Sequence, residues 1–130
     1  HILLFTVFFF FLYGELRDRL VRSRRQRHMF IRDRVDLDGG MACARSCVLN
    51  GLSVLEDALG DLDQIQRVIK VVGFVASAPG FSDQPAVIDA ASGLLIDVFG
   101  ELGRHARSAV GVAALPRGAP VEIEWVVRCN

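Results

Sequence analysis

The chain has 130 residues, 52% of them apolar, with 15 basic against 15 acidic side chains. That is one ordinary domain with a single core, and it excludes an intrinsically disordered chain. The zero total hides a split. Residues 1–34 carry eight arginines against Glu15, Asp18 and Asp33, a balance of +5, and residues 35–130 carry seven basic and twelve acidic residues, a balance of −5. Two kinds of material are expected: an atypical apolar then Arg-rich segment over 1–34, and an orderly domain over 35–130.

Ile2 to Tyr13 is an almost unbroken apolar run that includes four consecutive phenylalanines, Phe8 to Phe11. At about a dozen residues it is shorter than the ~20 that a membrane-spanning helix needs. Its arginines follow the apolar stretch, whereas a signal peptide places them before it. The run reads as an aromatic-rich buried strand, a short anchor with basic flanks, or sequence foreign to this fold. The arginines from Arg17 to Arg34 can meet phosphates. No aromatic residues interleave Arg22, Arg24, Arg25 and Arg27, so a solvated basic face is preferred. Neither a nucleic-acid partner nor membrane attachment is expected.

From Asp36 the pattern becomes regular. Asp36 and Asp38 mark a helix start. Met41, Ala44, Val48, Leu52, Leu55 and Leu59 then form one apolar stripe, with Gly60 as the stop. Asp61-Leu62-Asp63 turns the chain into Ile65–Ala76, which reads as a strand buried on both faces. Ser77-Ala78-Pro79-Gly80 ends that strand. A second helix follows, capped by Ser82 or Asp83, with Pro85 in its first turn. Its apolar face is Val87, Ile88, Ala91, Leu94, Leu95, Val98 and Phe99, and Gly100 and Gly103 close it. Arg107 to Glu124 reads as a pair of strands around a Pro/Gly turn. The order α-β-α-β-β predicts an α+β domain with two helices packed on one face of a mixed sheet.

Three cysteines, Cys43, Cys47 and Cys129, make no even disulfide framework, and no close His or Cys ligands make a metal site with them. They read as buried reduced thiols, which suits a reducing, cytoplasmic compartment.

Several co-linear stretches resemble the reactive-intermediate (imine) deaminase family, also called the Rid, YjgF or L-PSP family. Asp36–Arg45 with Cys47, Leu49 and Asn50 is similar to its first helix, and Ala58–Asp63 to the turn after it. Gly73–Pro85 is similar to one bacterial subgroup. His105–Val110, Leu115-Pro116 and Val121–Glu124 resemble the signature near the C-terminus. The resemblance covers about residues 36–130. It implies a chorismate-mutase-like fold, a homotrimer with clefts between subunits, and hydrolysis of small enamine or imine acids to a 2-keto acid and ammonia. It implies no metal and no organic cofactor. The partner it implies is a small imino or keto acid. A non-catalytic trimer binding a small carboxylate or a protein partner is the alternative.

The same resemblance assigns roles. Arg107 matches the arginine that grips the substrate carboxylate, a task suited to a planar guanidinium that forms paired hydrogen bonds. Its competing reading is a structural salt bridge. Glu122 matches the acid that positions or activates water, and Glu124 shares its face on a regular strand. Ser108 and Phe81 are candidate substrate contacts, by a hydroxyl or backbone group and as an apolar wall. Strand packing and helix packing are their respective alternatives. His105 reads more readily as a surface or interface residue than as a general acid. Ala109 stands where many deaminating relatives carry cysteine. Residues 1–34 lack the Ser-Gly-Gln-like stretch that the family's opening hairpin contributes to the cleft.

Overall fold

The computed structural model describes residues 3–10 and 35–130. The arginine run between Arg17 and Arg34 therefore lies outside the described residues.

Asp36 caps the first helix, α1 (Leu37–Leu59), as expected: its carboxylate accepts a hydrogen bond from the Gly39 amide at 2.8 Å. Gly60 closes the helix at φ 81°, a left-handed geometry in which a Cβ is strained. The apolar stripe of α1 is buried at Cys43, Ala44, Cys47, Val48, Gly51, Leu52 and Leu55. A short turn leads into strand β2 (Ile65–Ala76), and helix α2 (Gln84–Phe99) follows. Strands β3 (Ala106–Val112) and β4 (Val121–Cys129) complete the chain, and β1 (Leu3–Phe10) pairs antiparallel with β4 from Leu3↔Cys129 to Phe10↔Glu122.

The sheet order is β1-β4-β2-β3. This corrects the expectation of a paired β3 and β4. β2 lies between them, parallel to β3 and antiparallel to β4. β2, at 12 residues, is the longest strand, and its inner place gives it a hydrogen-bonded neighbour on each side. Residues 113–120 carry the chain across its end, where the Ala76 amide donates to Pro120 and the Ser77 amide donates to Val112.

Both helices pack on one face of this mixed sheet. Val68, Val71 and Val75 of β2 and Val121, Ile123, Trp125 and Val127 of β4 are fully buried beneath them. Among the described residues no helix packs on the other face, and there β2 is half-buried rather than buried on both sides as its composition suggested. Val72 and Phe74 are half-buried there and Val110 of β3 is exposed, alongside Glu122, Glu124 and Val126. Val98 of α2 is likewise exposed rather than part of the apolar face, and Ala90 is buried instead. Cys43, Cys47 and Cys129 are buried, outside any disulfide. Burial pushes the Cys43 thiol up to about 12 and raises that of Cys129, so both stay protonated and inert.

Two glycines allow the helices to seat. A Cβ on Gly73 of β2 would overlap the Ile88 side chain of α2, and one on Gly51 of α1 would lie 2.5 Å from Trp125 Cζ2. Gly73→Ala is expected to destabilise the fold by about 1–3 kcal/mol through overpacking. Gly73→Ala with Ile88→Ala should cost less than the sum of the two single changes, because the residues are in contact. Urea denaturation of the four proteins checks the coupling, and strict additivity would rule it out.

Candidate functional site

The first residues of β3 gather the chemistry. Arg107 is on the helix-facing side of the edge strand, in register with buried Val71. Its Nη1 donates to Asp89 Oδ1 at 2.5 Å and, more weakly, to Ser92 Oγ at 3.4 Å, both on α2. The Arg107 side chain is 26% exposed and that of Asp89 is 65% exposed. A pair this open to water stabilises by no more than about 1 kcal/mol. The salt-bridge reading of Arg107 is therefore realised in this chain, in a pair weak enough for a ligand carboxylate to replace.

His105 stands beside it. Its Nδ1 lies 2.6 Å from the Gly103 carbonyl oxygen and its Nε2 lies 2.9 Å from Ser92 Oγ. A carbonyl only accepts, so Nδ1 carries the hydrogen and Nε2 accepts from the Ser92 hydroxyl. Burial lowers the His105 pKa, the Gly103 bond raises it in part, and the Arg107 charge lowers it further. The ring is neutral at pH 7.

Two shallow depressions flank this histidine. One, of about 220 Å³, is lined by Ser92, Ile96, Arg104, His105 and Arg107. The other, of about 310 Å³, is lined by Arg67, Ile69, Arg104, His105 and Ala106. The register shift in β2 between Val68 and Lys70 leaves Ile69 as the extra residue of a bulge, 38% exposed beside His105. Bulges commonly re-aim a side chain in this way. Three arginines against two paired acids, Glu101 on Arg104 at 2.9 Å and Asp89 on Arg107, leave the rim a small positive balance. Depressions this small and open suit an anion of a few heavy atoms. Among the described residues, no group of three His, Cys, Asp or Glu is placed to hold a metal ion, and no helix is long and apolar enough to cross a membrane.

The other sequence-predicted residues lie elsewhere in the same chain. Glu122 is in register with Phe74 and Ser108 with Val72, both on the face opposite Arg107. Glu122 is also two strands from β3, roughly 10 Å away at ordinary strand spacing. Phe81 packs at the edge of the core beyond the other end of β3. There the Gln84 side chain donates to the Phe81 carbonyl at 2.8 Å and to Ser77 Oγ at 3.1 Å, close against Gly111. The four steps from Arg107 to Gly111 span about 13 Å of strand. The residues that sequence reading missed are Asp89, Ser92 and Ile96. Their spacing of three and then four residues puts them on one line of α2, beside its apolar face, and that line is the signal that identifies them.

Burial raises the Glu122 pKa from its ordinary value, and repulsion from Glu124 adds to it. A raised acid favours the fold below its unfolded pKa, about 4.3, and that contribution is lost as pH rises through the folded value. Glu122→Gln should therefore raise the melting temperature at pH 7, with the gain shrinking towards pH 4. Thermal unfolding across that range checks it; a gain independent of pH would contradict the assigned cause.

A family model described as "YjgF/chorismate_mutase-like, putative endoribonuclease" matches residues 27–121. Protein TCP17 of Trypanosoma cruzi is 52% identical over 92 residues, covering 70% of this chain and 58% of that protein. The crystal structure of Atu1372 from Agrobacterium tumefaciens, a protein of unknown function, superposes with a TM-score of 0.74 at 49% identity. The match covers 78% of this chain and 64% of that one. The crystal structure of "a putative endoribonuclease" from Shewanella oneidensis gives 0.70 at 26% identity over 73% of this chain and 63% of its own. The chain thus spans less than two thirds of the length of each. With two helices on one face of a mixed sheet and a family match over most of its length, the chain belongs to the YjgF/chorismate mutase-like family.

Proposed function

We propose that the chain hydrolyses small reactive enamine or imine acids to a 2-keto acid and ammonia, with Arg107 as the carboxylate clamp. The observation that carries this reading is the placement of Arg107. Its guanidinium lines an open depression, and its bonds to Asp89 and Ser92 both leave from Nη1. Nη2 and Nε then remain for the two oxygens of a substrate carboxylate, the paired grip that lysine does not offer. Held there, the imine carbon is kept in one orientation for water, and orientation of this kind is worth several powers of ten in rate. Neither a metal nor an organic cofactor enters the proposed reaction.

Glu122, Ser108 and Phe81 reach an Arg107-bound ligand only from a neighbouring copy of the chain. The proposed homotrimer supplies such neighbours. Its support here is physical: no described helix covers the sheet face carrying Glu122, Val72, Phe74, Val110 and Val126, and β3 is an edge strand among the described residues. A partly apolar face next to an open edge is a surface another copy can cover. The ion pair with Asp89 favours a second reading, in which the depression binds a carboxylate ligand without turning it over. The buried thiols suit the reducing, cytoplasmic setting that this metabolism implies.

Ammonia and keto-acid release from freshly generated 2-aminoacrylate tests the proposal. Arg107→Ala should lose at least roughly 100-fold in kcat/KM, the scale of a lost orienting contact. Equal rates for wild type and Arg107→Ala would remove the clamp. Asp89→Asn frees the guanidinium from its internal carboxylate and should tighten pyruvate binding several-fold by calorimetry. Unchanged or weaker binding would show that Asp89 holds Arg107 ready rather than competing for it.

A further inference from the structure

We propose that His105 is the proton-transferring residue of the Arg107 depression, with the Ser92 hydroxyl as the relay between its ring and the attacking water. The inference rests on the deaminase reading above and supplies what that reading lacks in a single chain. The acid expected to activate water, Glu122, lies across the sheet from Arg107.

Three observations converge on His105. Its ring is held at both nitrogens, by the Gly103 carbonyl at 2.6 Å and Ser92 Oγ at 2.9 Å. The Gly103 bond fixes the tautomer, so the lone pair is on Nε2 and aims at Ser92. Ser92, His105 and Arg107 line one depression, so a molecule gripped by Arg107 lies against the relay. The arrangement of a base, its hydroxyl partner and a carbonyl that orients the ring is that of an activated hydroxyl–imidazole pair.

Three arginines share the depressions with the ring: Arg107 of β3, Arg104 just before it and Arg67 of β2. Glu101 is paired with Arg104 and Asp89 with Arg107. In the free protein the Arg107 charge helps keep the ring neutral. A bound carboxylate offsets that charge, which raises the basicity of His105 when substrate is present.

The proton path then balances. Water attacks the iminium carbon; the C–O bond forms and the π pair of C=N moves to nitrogen. The water proton passes to Ser92 Oγ as the Ser92 proton passes to His105 Nε2. The imidazolium returns a proton through the same hydroxyl to the amine nitrogen. The C–N bond breaks, its electron pair leaving with ammonia, while the carbinol oxygen forms C=O and gives its proton to ammonia. The products are a 2-keto acid and ammonium, with His105 neutral again.

The test is the pH dependence of 2-aminoacrylate hydrolysis by wild type, His105→Asn, Ser92→Ala and Arg107→Ala. His105→Asn keeps an amide donor for the Gly103 carbonyl while removing the base, so a folding defect is separated from a chemical one. Wild-type kcat should rise with pH through one ionisation and then level. His105→Asn should lose that limb and about 10²–10⁴-fold in kcat, the range of general-base catalysis, with KM changed by no more than a few-fold. Ser92→Ala should lower kcat and displace the limb. A folded His105→Asn with wild-type kcat and an unaltered limb overturns the role of His105, while loss in Arg107→Ala alone leaves the clamp standing. No turnover by wild type overturns the deaminase reading and the role of His105 with it.

Discussion

The seating of Ile88 on Gly73 governs the rest of the structure. Where β2 lacks a side chain, α2 settles against the sheet with Ile88 over the gap. That contact sets both the height and the rotation of the helix. With Ile88 pointing at the sheet, Val87, Ala91, Leu94 and Leu95 fall into the core. Asp89, Ser92 and Ile96 are then carried to the flank, beside the first residues of β3. Close packing makes such a seat intolerant of one additional methyl group. The polar flank of α2 is thus positioned by its apolar face, and the geometry around Arg107 inherits its definition from the core.

The same packing explains why so weak an ion pair can define a site. The Arg107–Asp89 contact is open to solvent and adds little to stability. Its significance is positional: a guanidinium on an edge strand is held near a hydroxyl and a neutral imidazole, on a rim with three arginines. His105 is fixed by groups from two elements, the turn carbonyl of Gly103 and Ser92 of α2. A ring gripped in this way has lost its conformational freedom before any ligand arrives, which is what pre-organisation means for a small site.

Much of the scaffold was legible from local pattern. The stripe from Met41 to Leu59 and its Gly60 stop, the Val/Ile run of β2 and the helix after Pro85 are local signals, and each element formed where its period placed it. What went astray depended on neighbours. β2 looked buried on both faces because Val and Ile dominate it, yet among the described residues helices cover only one face. β3 and β4 looked like a hairpin because they are consecutive, yet β2 takes the place between them. Strand order depends on which long-range pairings form, and a one-dimensional pattern does not carry them.

The site divides along the same line. Sequence by itself determined the α+β class, the family and the presence of an arginine and an acid near the C-terminus, because periodicity, caps and co-linear motifs are properties of short stretches. It singled out Arg107 and Glu122 together, since both stand in one signature. Only the tertiary structure decided that they occupy opposite faces of the sheet, and that the close companions of Arg107 are Asp89, Ser92 and His105. The physical reason is the pleat together with the crossover. Side chains on a strand alternate faces, and inserting β2 between β3 and β4 separates residues that lie only fifteen positions apart along the chain.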